Sequence, residues 1–193
     1  MTQIIGISGK IGTGKSTVAR MLLDELQAVD AWRDFGDELK REVSEKFGFP
    51  LKYCYTPEGK ETVILHHELP ACGQMTVRSI LQWHGEVRRK QDPQHWVREL
   101  QEWMLANRPN KLVIGDVRYR EEAAWIARHS GKLFRIEPYP EWRPGTGARH
   151  KSETDLDSWK AWQMVFYPRY GKLGEVAEKV AGSIKPRSTY ALP

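Results

Sequence analysis

The chain has 193 residues, of which 40% are hydrophobic and 28% are charged, and this composition is typical of one soluble globular domain rather than a fibrous or disordered chain. The sequence contains no run of 18 apolar residues and no signal-type N-terminus, so we expect no membrane association and a cytoplasmic location. Lysine and arginine exceed aspartate and glutamate by five, which favours a polyanionic partner such as a nucleotide or a nucleic acid.

The first elements predicted along the chain are a strand, a glycine-rich loop and a helix. Residues 3–8 read QIIGIS, an apolar run that predicts a short buried strand. From Gly14 onward, apolar residues recur with the spacing of one helix face, at Val18, Met21, Leu22 and Leu26.

The middle of the chain is predicted to hold more helices around a loop-rich segment. Apolar residues one turn apart predict a helix over residues 37–47. Glycine and proline punctuate residues 48–75, which we predict to be mostly loop, with a short strand or hairpin at 62–65. Helical spacing returns over residues 77–87, and Asp92-Pro93 has the pattern of an N-cap followed by proline at the first position of another helix.

The C-terminal half is predicted to alternate strands with helices. The strands are placed at 111–116 and 132–136, and the helices at 121–129 and 174–184. Strands separated by helices favour an α/β fold with a mainly parallel sheet and helices on both faces. Ligands of such folds bind at the carboxyl ends of the strands, where both the first glycine-rich loop and Asp116 are expected.

The glycine-rich loop carries the clearest chemical signal in the chain. Residues 9–16 read GKIGTGKS, a complete match to G-x-x-x-x-G-K-[ST] between a predicted strand and a predicted helix. Backbone N–H groups of such a loop surround a phosphate, the lysine reaches the β- and γ-phosphates, and the serine hydroxyl holds Mg²⁺. The expected nucleotide-binding residues are Gly9, Gly12, Thr13, Gly14, Lys15, Ser16 and Thr17. The sequence therefore predicts a site for a nucleoside triphosphate, with ATP and Mg²⁺ as the expected cofactors.

The rest of the sequence favours a small kinase among P-loop proteins. A GTPase would carry an N-K-x-D base-reading motif, which this sequence lacks, and motor or helicase ATPases are larger. A kinase needs cations to hold its acceptor and to screen the transferring phosphoryl group. Cations suited to this task are present in three places. Arg78, Arg88 and Arg89 lie on the predicted helix before Asp92, and Arg118 and Arg120 follow the strand that ends at Asp116. The polar loop at 138–154 adds Arg143, Arg149 and Lys151.

Several short segments resemble one family of P-loop kinases. Residues 35–40, FGDELK, resemble the F-A-D-x-L-K segment of phage-type deoxynucleoside monophosphate kinases and of dephospho-coenzyme A kinases. Residues 76–82, 92–97, 115–123 and 150–153 resemble the T-V-R-x-x-L-Q, D-x-x-x-W-V, D-x-R-x-x-x-E-A and H-x-S-E elements of the phage-type family. The resemblance runs in order over about residues 3–155.

The resemblance implies a P-loop kinase fold. The length of the chain predicts a single domain over residues 1–185 with a small lid. Glycine, proline and charged residues place the lid or acceptor loops near 48–75 and 138–154, and residues 186–193 are predicted to form a loose tail. The resemblance further implies that the γ-phosphoryl group of ATP passes to a deoxynucleoside monophosphate, a small-molecule substrate.

The resemblance also implies roles for individual residues. Asp37, with Lys40 on the same segment, would lie by the acceptor and orient it. Arg78 and Arg118 would grip the acceptor phosphate, and Arg149 is a further candidate for this contact. Asp116 would act through Mg²⁺, which Ser16 would also hold. The expected catalytic residues are Lys15, Asp37, Arg118 and Arg143. Either Arg143 or Arg149 would close over the transferring group. The family also suggests a homodimer.

Two other functions remain open from the sequence. Residues 84–89 lack the G-T-E-type turn of the family, residues 48–75 match none of its segments, and the chain is basic. A related kinase that phosphorylates the hydroxyl of a modified base, such as 5-hydroxymethyluracil in duplex DNA, would suit these departures, with Asp37 as the base. The other alternative is a nucleotide-binding protein without catalysis.

A few conspicuous residues are predicted to be structural. His84 lies on an apolar helix face and is expected to be a core histidine. Cys54 and Cys72 are expected to be free thiols, and with His66-His67 they lack the spacing of a zinc site.

Overall fold

A computed structural model of the chain describes residues 2–26, 31–139, 143, 150–169 and 171–184. Arg149, the predicted tail and most of the predicted loop at 138–154, which would hold the small lid, lie outside the described residues. The chain divides into two compact units. The first unit comprises Met1–Asp34 with Arg108–Pro193, and the second comprises Phe35–Asn107.

The elements alternate along the chain as the sequence predicts for an α/β protein. Strands β1 to β7 are Gln3–Gly9, Ala31–Trp32, Val63–Leu65, Gln74–Thr76, Lys111–Val117, Lys132–Ile136 and Met164–Phe166. Helices α1 to α9 are Lys15–Leu26, Asp37–Phe47, Pro57–Glu61, Pro70–Gly73, Val77–Gln91, His95–Asn107, Arg120–Arg128, Lys151–Thr154 and Leu173–Ile184. A short 3₁₀ helix at Leu51–Cys54 precedes α3.

The first unit is built on a five-stranded parallel sheet with the order β2-β5-β1-β6-β7. The apolar strands β1 and β5 lie in the interior of this sheet, where both of their faces can be covered. This confirms the prediction of an α/β fold with a parallel sheet. Strands β2 and β7 were not predicted; they have two and three residues, which is too few for a periodic pattern.

Helices cover both faces of this sheet. On one face, α1 and α9 pack over Ile5 and Ile7 of β1 through Leu22 and Val180, all of which are buried. On the other face lies α7, whose Ile126 is so close to Gly6 of β1 that a Cβ atom at Gly6 would lie 2.7 Å from the Ile126 Cδ1 atom. The predicted two-sided packing is confirmed.

Strand β5 contains one extra residue relative to its neighbour β1. Gly6 pairs with Ile114, but Ser8 pairs with Val117, so two steps on β1 match three steps on β5. This irregularity is a β-bulge at Gly115 and Asp116. Bulges re-aim side chains next to functional sites, and here the bulge carries the carboxylate that the sequence predicts for the site.

The second unit contains α2 to α6 and a small antiparallel sheet of β3 and β4. Strand β3 confirms the short strand predicted at 62–65, and it pairs with β4, Val63 opposite Thr76. The segment 48–75 was predicted to be mostly loop, and this prediction is wrong, because the segment also holds the 3₁₀ helix, α3 and α4. Its buried residues, such as Phe49 and Cys54, join the helices in one core.

Three local predictions are resolved by the packing. His84 is 5% exposed, which confirms a core histidine. Met21 was predicted on the buried face of α1 but is 38% exposed. Asp92-Pro93 does not begin α6, since the Asp92 carboxylate accepts a hydrogen bond from Gln94 N at 3.0 Å in a turn before the helix.

Both cysteines are free, with Cys54 buried and Cys72 exposed, as predicted. Among the residues described, no helix is long and apolar enough to cross a membrane.

Candidate active site

The phosphate loop connects the end of β1 to the start of α1, in the first unit. Gly12 and Gly14 have φ angles of 78° and 88°, a region that favours glycine. A side chain at Gly14 would also collide with α9, because its Cβ atom would lie 2.4 Å from Leu173 Cδ1. The positive φ and this collision together explain why the motif requires glycine at position 14. The predicted succession of a strand, a glycine-rich loop and a helix is confirmed, and phosphate binding by the loop stays a prediction.

One backbone carbonyl organises the interior of the loop. The Lys10 oxygen accepts hydrogen bonds from Thr13 N at 3.3 Å, Thr13 Oγ1 at 2.9 Å and Lys15 Nζ at 2.9 Å. Lys15 is only 6% exposed. Burial lowers the pKa of its ammonium group, and although Asp116 and Glu153 oppose this effect, the pKa stays below its ordinary value.

Asp116 joins two cations through its two oxygens. Its Oδ1 lies 3.6 Å from Lys15 Nζ, and its Oδ2 accepts a hydrogen bond from Arg118 Nε at 2.7 Å. This places the predicted phosphate-binding lysine, the predicted metal-associated carboxylate and a predicted phosphate-binding arginine in one cluster. The Lys15–Asp116–Arg118 cluster stands at the carboxyl ends of β1 and β5, where the sequence predicted the site.

The residues present have the oxygen chemistry that Mg²⁺ prefers. Ser16 is exposed at the start of α1, and Asp116 provides a carboxylate that is partly exposed beside Lys15. In the described part of the chain, no group of three or more His, Cys, Asp or Glu side chains could hold a metal ion. Mg²⁺ needs no such cage, because it is commonly bound through one or two protein ligands together with substrate phosphates. The metal-binding role of both residues stays a prediction.

Arg118 is held between two carboxylates. Besides the bond from Nε to Asp116, its Nη1 donates to Glu153 Oε1. Burial disfavours the charged guanidinium, but the carboxylates of Asp116 and Glu153 outweigh burial and raise the pKa of Arg118 above its ordinary value. Its backbone N–H donates to Glu122 Oε2 at 2.7 Å. Arg118 is therefore a permanently charged group with a fixed orientation.

Glu153 is a member of this site that sequence reasoning did not assign. It lies on α8, and its side chain is 4% exposed. Its Oε2 accepts a hydrogen bond from Ile11 N of the phosphate loop at 2.6 Å. Its backbone oxygen accepts another from Lys10 Nζ at 2.6 Å. The resemblance of residues 150–153 to an H-x-S-E element was the only signal for this position, and it carried no role.

A second ionic group, centred on Asp157, holds the segment that follows α8. Asp157 Oδ1 accepts hydrogen bonds from Lys10 Nζ and, at 3.1 Å, from Arg135 Nη2. Arg135 is 4% exposed on β6 and also donates to Glu137 Oε1 at 3.0 Å. These contacts tie the segment that follows α8 to the loop and to the sheet.

The residues predicted to bind the acceptor near Asp37 lie in the second unit. Asp37 is the first residue of α2, and its carboxylate accepts a hydrogen bond from Lys40 Nζ at 2.8 Å and one from Tyr55 OH at 3.4 Å. Lys40 Nζ also lies 4.6 Å from the centre of the Tyr55 ring. Tyr55 was not predicted for the site, because the segment around it matched no family pattern.

The other predicted cations have different surroundings. Arg78, in the second unit, donates from Nε to Glu61 Oε1 at 2.8 Å and is 19% exposed. Arg143 is exposed, and Arg149 lies outside the described residues. The structure thus brings Lys15, Asp116 and Arg118 together in one unit, and Asp37 and Lys40 together in the other. Their roles in binding and catalysis stay predictions.

A cavity of about 430 Å³ lies between the end of β7 and the face of α9. It is lined by Phe166, Tyr167, Pro168, Arg169, Lys172, Glu175, Val176 and Lys179. The cavity is next to the phosphate loop, because Leu173 lies between lining residues and packs on Gly14. Its lining combines aromatic and basic side chains with the carboxylate of Glu175, which lies 3.0 Å from Lys172 Nζ.

No family model matches the sequence, and no curated protein matches it. Solved structures with a related arrangement include a tunicamycin resistance protein of Deinococcus radiodurans, at 14% identity and a TM-score of 0.49 over 96% of both chains. A shikimate kinase of Bacteroides thetaiotaomicron matches at 12% identity and a TM-score of 0.46, over 95% of this chain and 99% of that one. A sugar kinase of Janibacter matches at 15% identity and a TM-score of 0.47, over 95% of this chain and 94% of that one.

Proposed function

We propose that this protein is a P-loop kinase that transfers the γ-phosphoryl group of ATP to a deoxynucleoside monophosphate. The observation that carries the proposal is the Lys15–Asp116–Arg118 cluster, directly beside a complete phosphate loop. A loop alone would support nucleotide binding. A second, fixed cation beside it supports a transfer reaction, because the charge that develops on the transferring group needs stabilisation from several sides.

In the proposed reaction, an oxygen of the acceptor phosphate attacks the γ-phosphorus, and the bond to the β,γ-bridging oxygen breaks to release ADP. The acceptor phosphate is already a competent nucleophile, so the protein mainly supplies positioning and charge. The loop N–H groups and Lys15 hold the β- and γ-phosphates, and Arg118 faces the transferring group. Mg²⁺, held through Ser16 and Asp116, would supply further neutralisation of the phosphate charge.

The acceptor is assigned to the residues around Asp37. The Asp37 carboxylate, Lys40 and the Tyr55 hydroxyl form one hydrogen-bonded group, which offers both signs of charge and an aromatic ring to a nucleotide. Arg78 is the proposed partner of the acceptor phosphate, with the exposed carboxylate of Glu61 as the group that it exchanges for the phosphate. For the donor, the cavity beside α9 is the proposed place of the nucleoside.

The test is phosphoryl transfer from γ-labelled ATP with Mg²⁺. Each of the four deoxynucleoside monophosphates is offered separately, and Lys15→Ala serves as the blank. Label in a diphosphate product, absent with Lys15→Ala, supports the proposal and identifies the base. No label in any diphosphate, from a protein that binds ATP, contradicts it.

The same assay includes duplex DNA that contains 5-hydroxymethyluracil, since the net charge of +5 suits a DNA acceptor. Label on the DNA alone would assign the activity to a base hydroxyl and would give Asp37 the role of general base. ATP binding without transfer to any of these acceptors would favour the non-catalytic alternative.

A further inference from the structure

Glu153 occupies a position from which it can act on both halves of the phosphate-binding apparatus. Its carboxylate touches the phosphate loop through Oε2 and Arg118 through Oε1. It is one of the few charged side chains in the described residues that is nearly fully buried, at 4% exposure. A buried carboxylate is costly unless it is fully paired, so this placement calls for a role.

The contact with the loop fixes a specific peptide. Ile11 lies between the two lysines of the motif, and its N–H donates to Glu153 at 2.6 Å. Lys10 Nζ is bound to the Glu153 backbone oxygen at 2.6 Å. The outer side of the loop is thus held by α8, while its inner side is held by the hydrogen bonds to the Lys10 carbonyl.

The contact with Arg118 fixes the plane of the guanidinium. Asp116 binds Nε and Glu153 binds Nη1, and a planar group bound at two nitrogens cannot rotate about its own axis. The Nη2 nitrogen takes part in neither contact. Its two N–H donors are therefore presented in a constant direction.

We propose that Glu153 is a positioning residue, which orients Arg118 for the transferring phosphoryl group and holds the phosphate loop at Ile11. This inference rests on the proposed kinase function. It deepens that function by assigning to α8 the alignment of the loop with its catalytic arginine. Glu153 touches no reacting atom itself; it acts through Arg118 and through the loop.

Two substitutions separate the two contacts. In Glu153→Gln, the amide oxygen still accepts from Ile11 N, but the negative charge that holds Arg118 is lost. We expect kcat to fall by about 10- to 100-fold, because small losses of alignment are costly in transfer reactions, while the Kd for ATP changes by less than about threefold. In Glu153→Ala, both contacts are lost, and we expect the ATP affinity to fall by about tenfold as well.

A double-mutant cycle with Arg118→Ala separates positioning from general stability. If Glu153 acts through Arg118, then Glu153→Gln in the Arg118→Ala background changes kcat by less than about twofold. If the double mutant instead loses kcat by the product of the two single losses, the two residues act independently and the proposal is overturned. An unchanged kcat in Glu153→Gln would also overturn it.

Asp155→Asn is the matched control. Asp155 lies two residues after Glu153 and likewise accepts a hydrogen bond from a backbone N–H, that of Arg120 at 2.8 Å. This contact involves neither the loop nor Arg118. We expect its kcat and ATP affinity to stay within about twofold of the unmodified protein. A loss in Asp155→Asn as large as that in Glu153→Gln would reduce Glu153 to a structural role and overturn the proposal.

The ATP-binding measurement keeps this test separate from the test of function. If the unmodified protein binds ATP but transfers no phosphoryl group, the proposed function fails. Weaker ATP binding in Glu153→Ala, with normal binding in Asp155→Asn, would still support the contact with the loop. Equal ATP binding in all three proteins would overturn that part of the inference independently of catalysis.

Discussion

The Lys10 carbonyl oxygen shows how a single atom shapes the phosphate loop. Three donors converge on it, two from Thr13 and one from Lys15. Thr13 is 2% exposed, so water cannot replace its side-chain hydrogen bond. The hydroxyl of Thr13 therefore stabilises the curvature that the backbone N–H groups need to surround a phosphate.

Thr13→Val tests this contact with little change of shape. We expect the free energy of unfolding to fall by about 0.5–1.5 kcal/mol, because a buried hydrogen bond is lost while the Lys10 oxygen keeps those from Thr13 N and Lys15 Nζ. ATP affinity should fall by several-fold, since the loop loses part of its restraint. Urea denaturation and titration calorimetry measure the two quantities.

Thr17→Val is the control for stability, because Thr17 is exposed on α1. Its free energy of unfolding should stay within about 0.5 kcal/mol of the unmodified protein. Equal stability of Thr13→Val and the unmodified protein would contradict the importance of the Thr13 hydroxyl.

At the residue scale, the sequence predicted the loop well and its supports poorly. Lys15 and Asp116 could be predicted because a local motif and a strand end place them. Glu153 could not, because its bonds to Ile11 and Arg118 span 142 and 35 residues of sequence. Such contacts depend on tertiary packing, which leaves no periodic signal in a single chain.

At the scale of elements, α2 and α5 of the second unit are joined by an ionic group. Glu42 of α2 accepts a hydrogen bond from Arg88 Nε at 3.1 Å, and its Oε1 lies 3.0 Å from His84 Nε2. Burial alone would raise the pKa of Glu42, but the bonds to Arg88 and His84 outweigh burial and lower the pKa below its ordinary value. The charged form of Glu42 therefore favours the folded state.

This direction of the pKa shift predicts how stability depends on pH. A carboxylate with a lowered pKa contributes stability above its unfolded pKa, and the contribution is lost as the pH falls through the lower, folded pKa. Glu42→Gln should lose about 1–2 kcal/mol of unfolding free energy at pH 7. Between pH 6 and about pH 3, Glu42→Gln should lose less further stability than the unmodified protein.

Denaturation by urea at a series of pH values measures this difference. Glu45→Gln is the matched control, because Glu45 lies on the same helix and is exposed. Parallel stability curves for Glu42→Gln and the unmodified protein below pH 5 would contradict the assignment.

Element prediction succeeded where a pattern was long enough to repeat. Helix α2 begins and ends at the predicted residues, Asp37 and Phe47, and β6 likewise has its predicted bounds. Strands β2 and β7 escaped prediction because each is fixed mainly by pairing with a neighbour, β5 and β6 respectively. Pairing partners of this kind are chosen by the tertiary fold.

At the scale of the whole molecule, the proposed donor and acceptor residues are divided between the two units. Lys15 and Arg118 belong to the first unit, whereas Asp37, Lys40 and Arg78 belong to the second. Substitutions in the second unit should therefore affect the acceptor selectively. This division gives a kinetic signature for the molecule as a whole.

Arg78→Ala tests the division. We expect the KM for the acceptor to rise by about 10- to 100-fold, because a charged hydrogen bond to its phosphate is lost, while the KM for ATP stays within about twofold. Steady-state kinetics with each substrate varied in turn measures both values.

Glu61→Gln is the control for Arg78→Ala, since it removes the partner of Arg78 and keeps the cation. Its KM for the acceptor should be unchanged or lower. An equal rise of both KM values in Arg78→Ala would contradict a separate acceptor site.

The bulge in β5 has a consequence for how this protein can change by inheritance. One extra residue between Ile114 and Val117 offsets the pairing with β1 at the point where Asp116 stands. Loss of a single codon there would restore regular pairing, so the sheet would still form while the direction of the carboxylate side chain changed. Under the role proposed for Asp116, an in-frame deletion at this place would leave a protein that folds but lacks activity, and later point mutations could not return the missing residue.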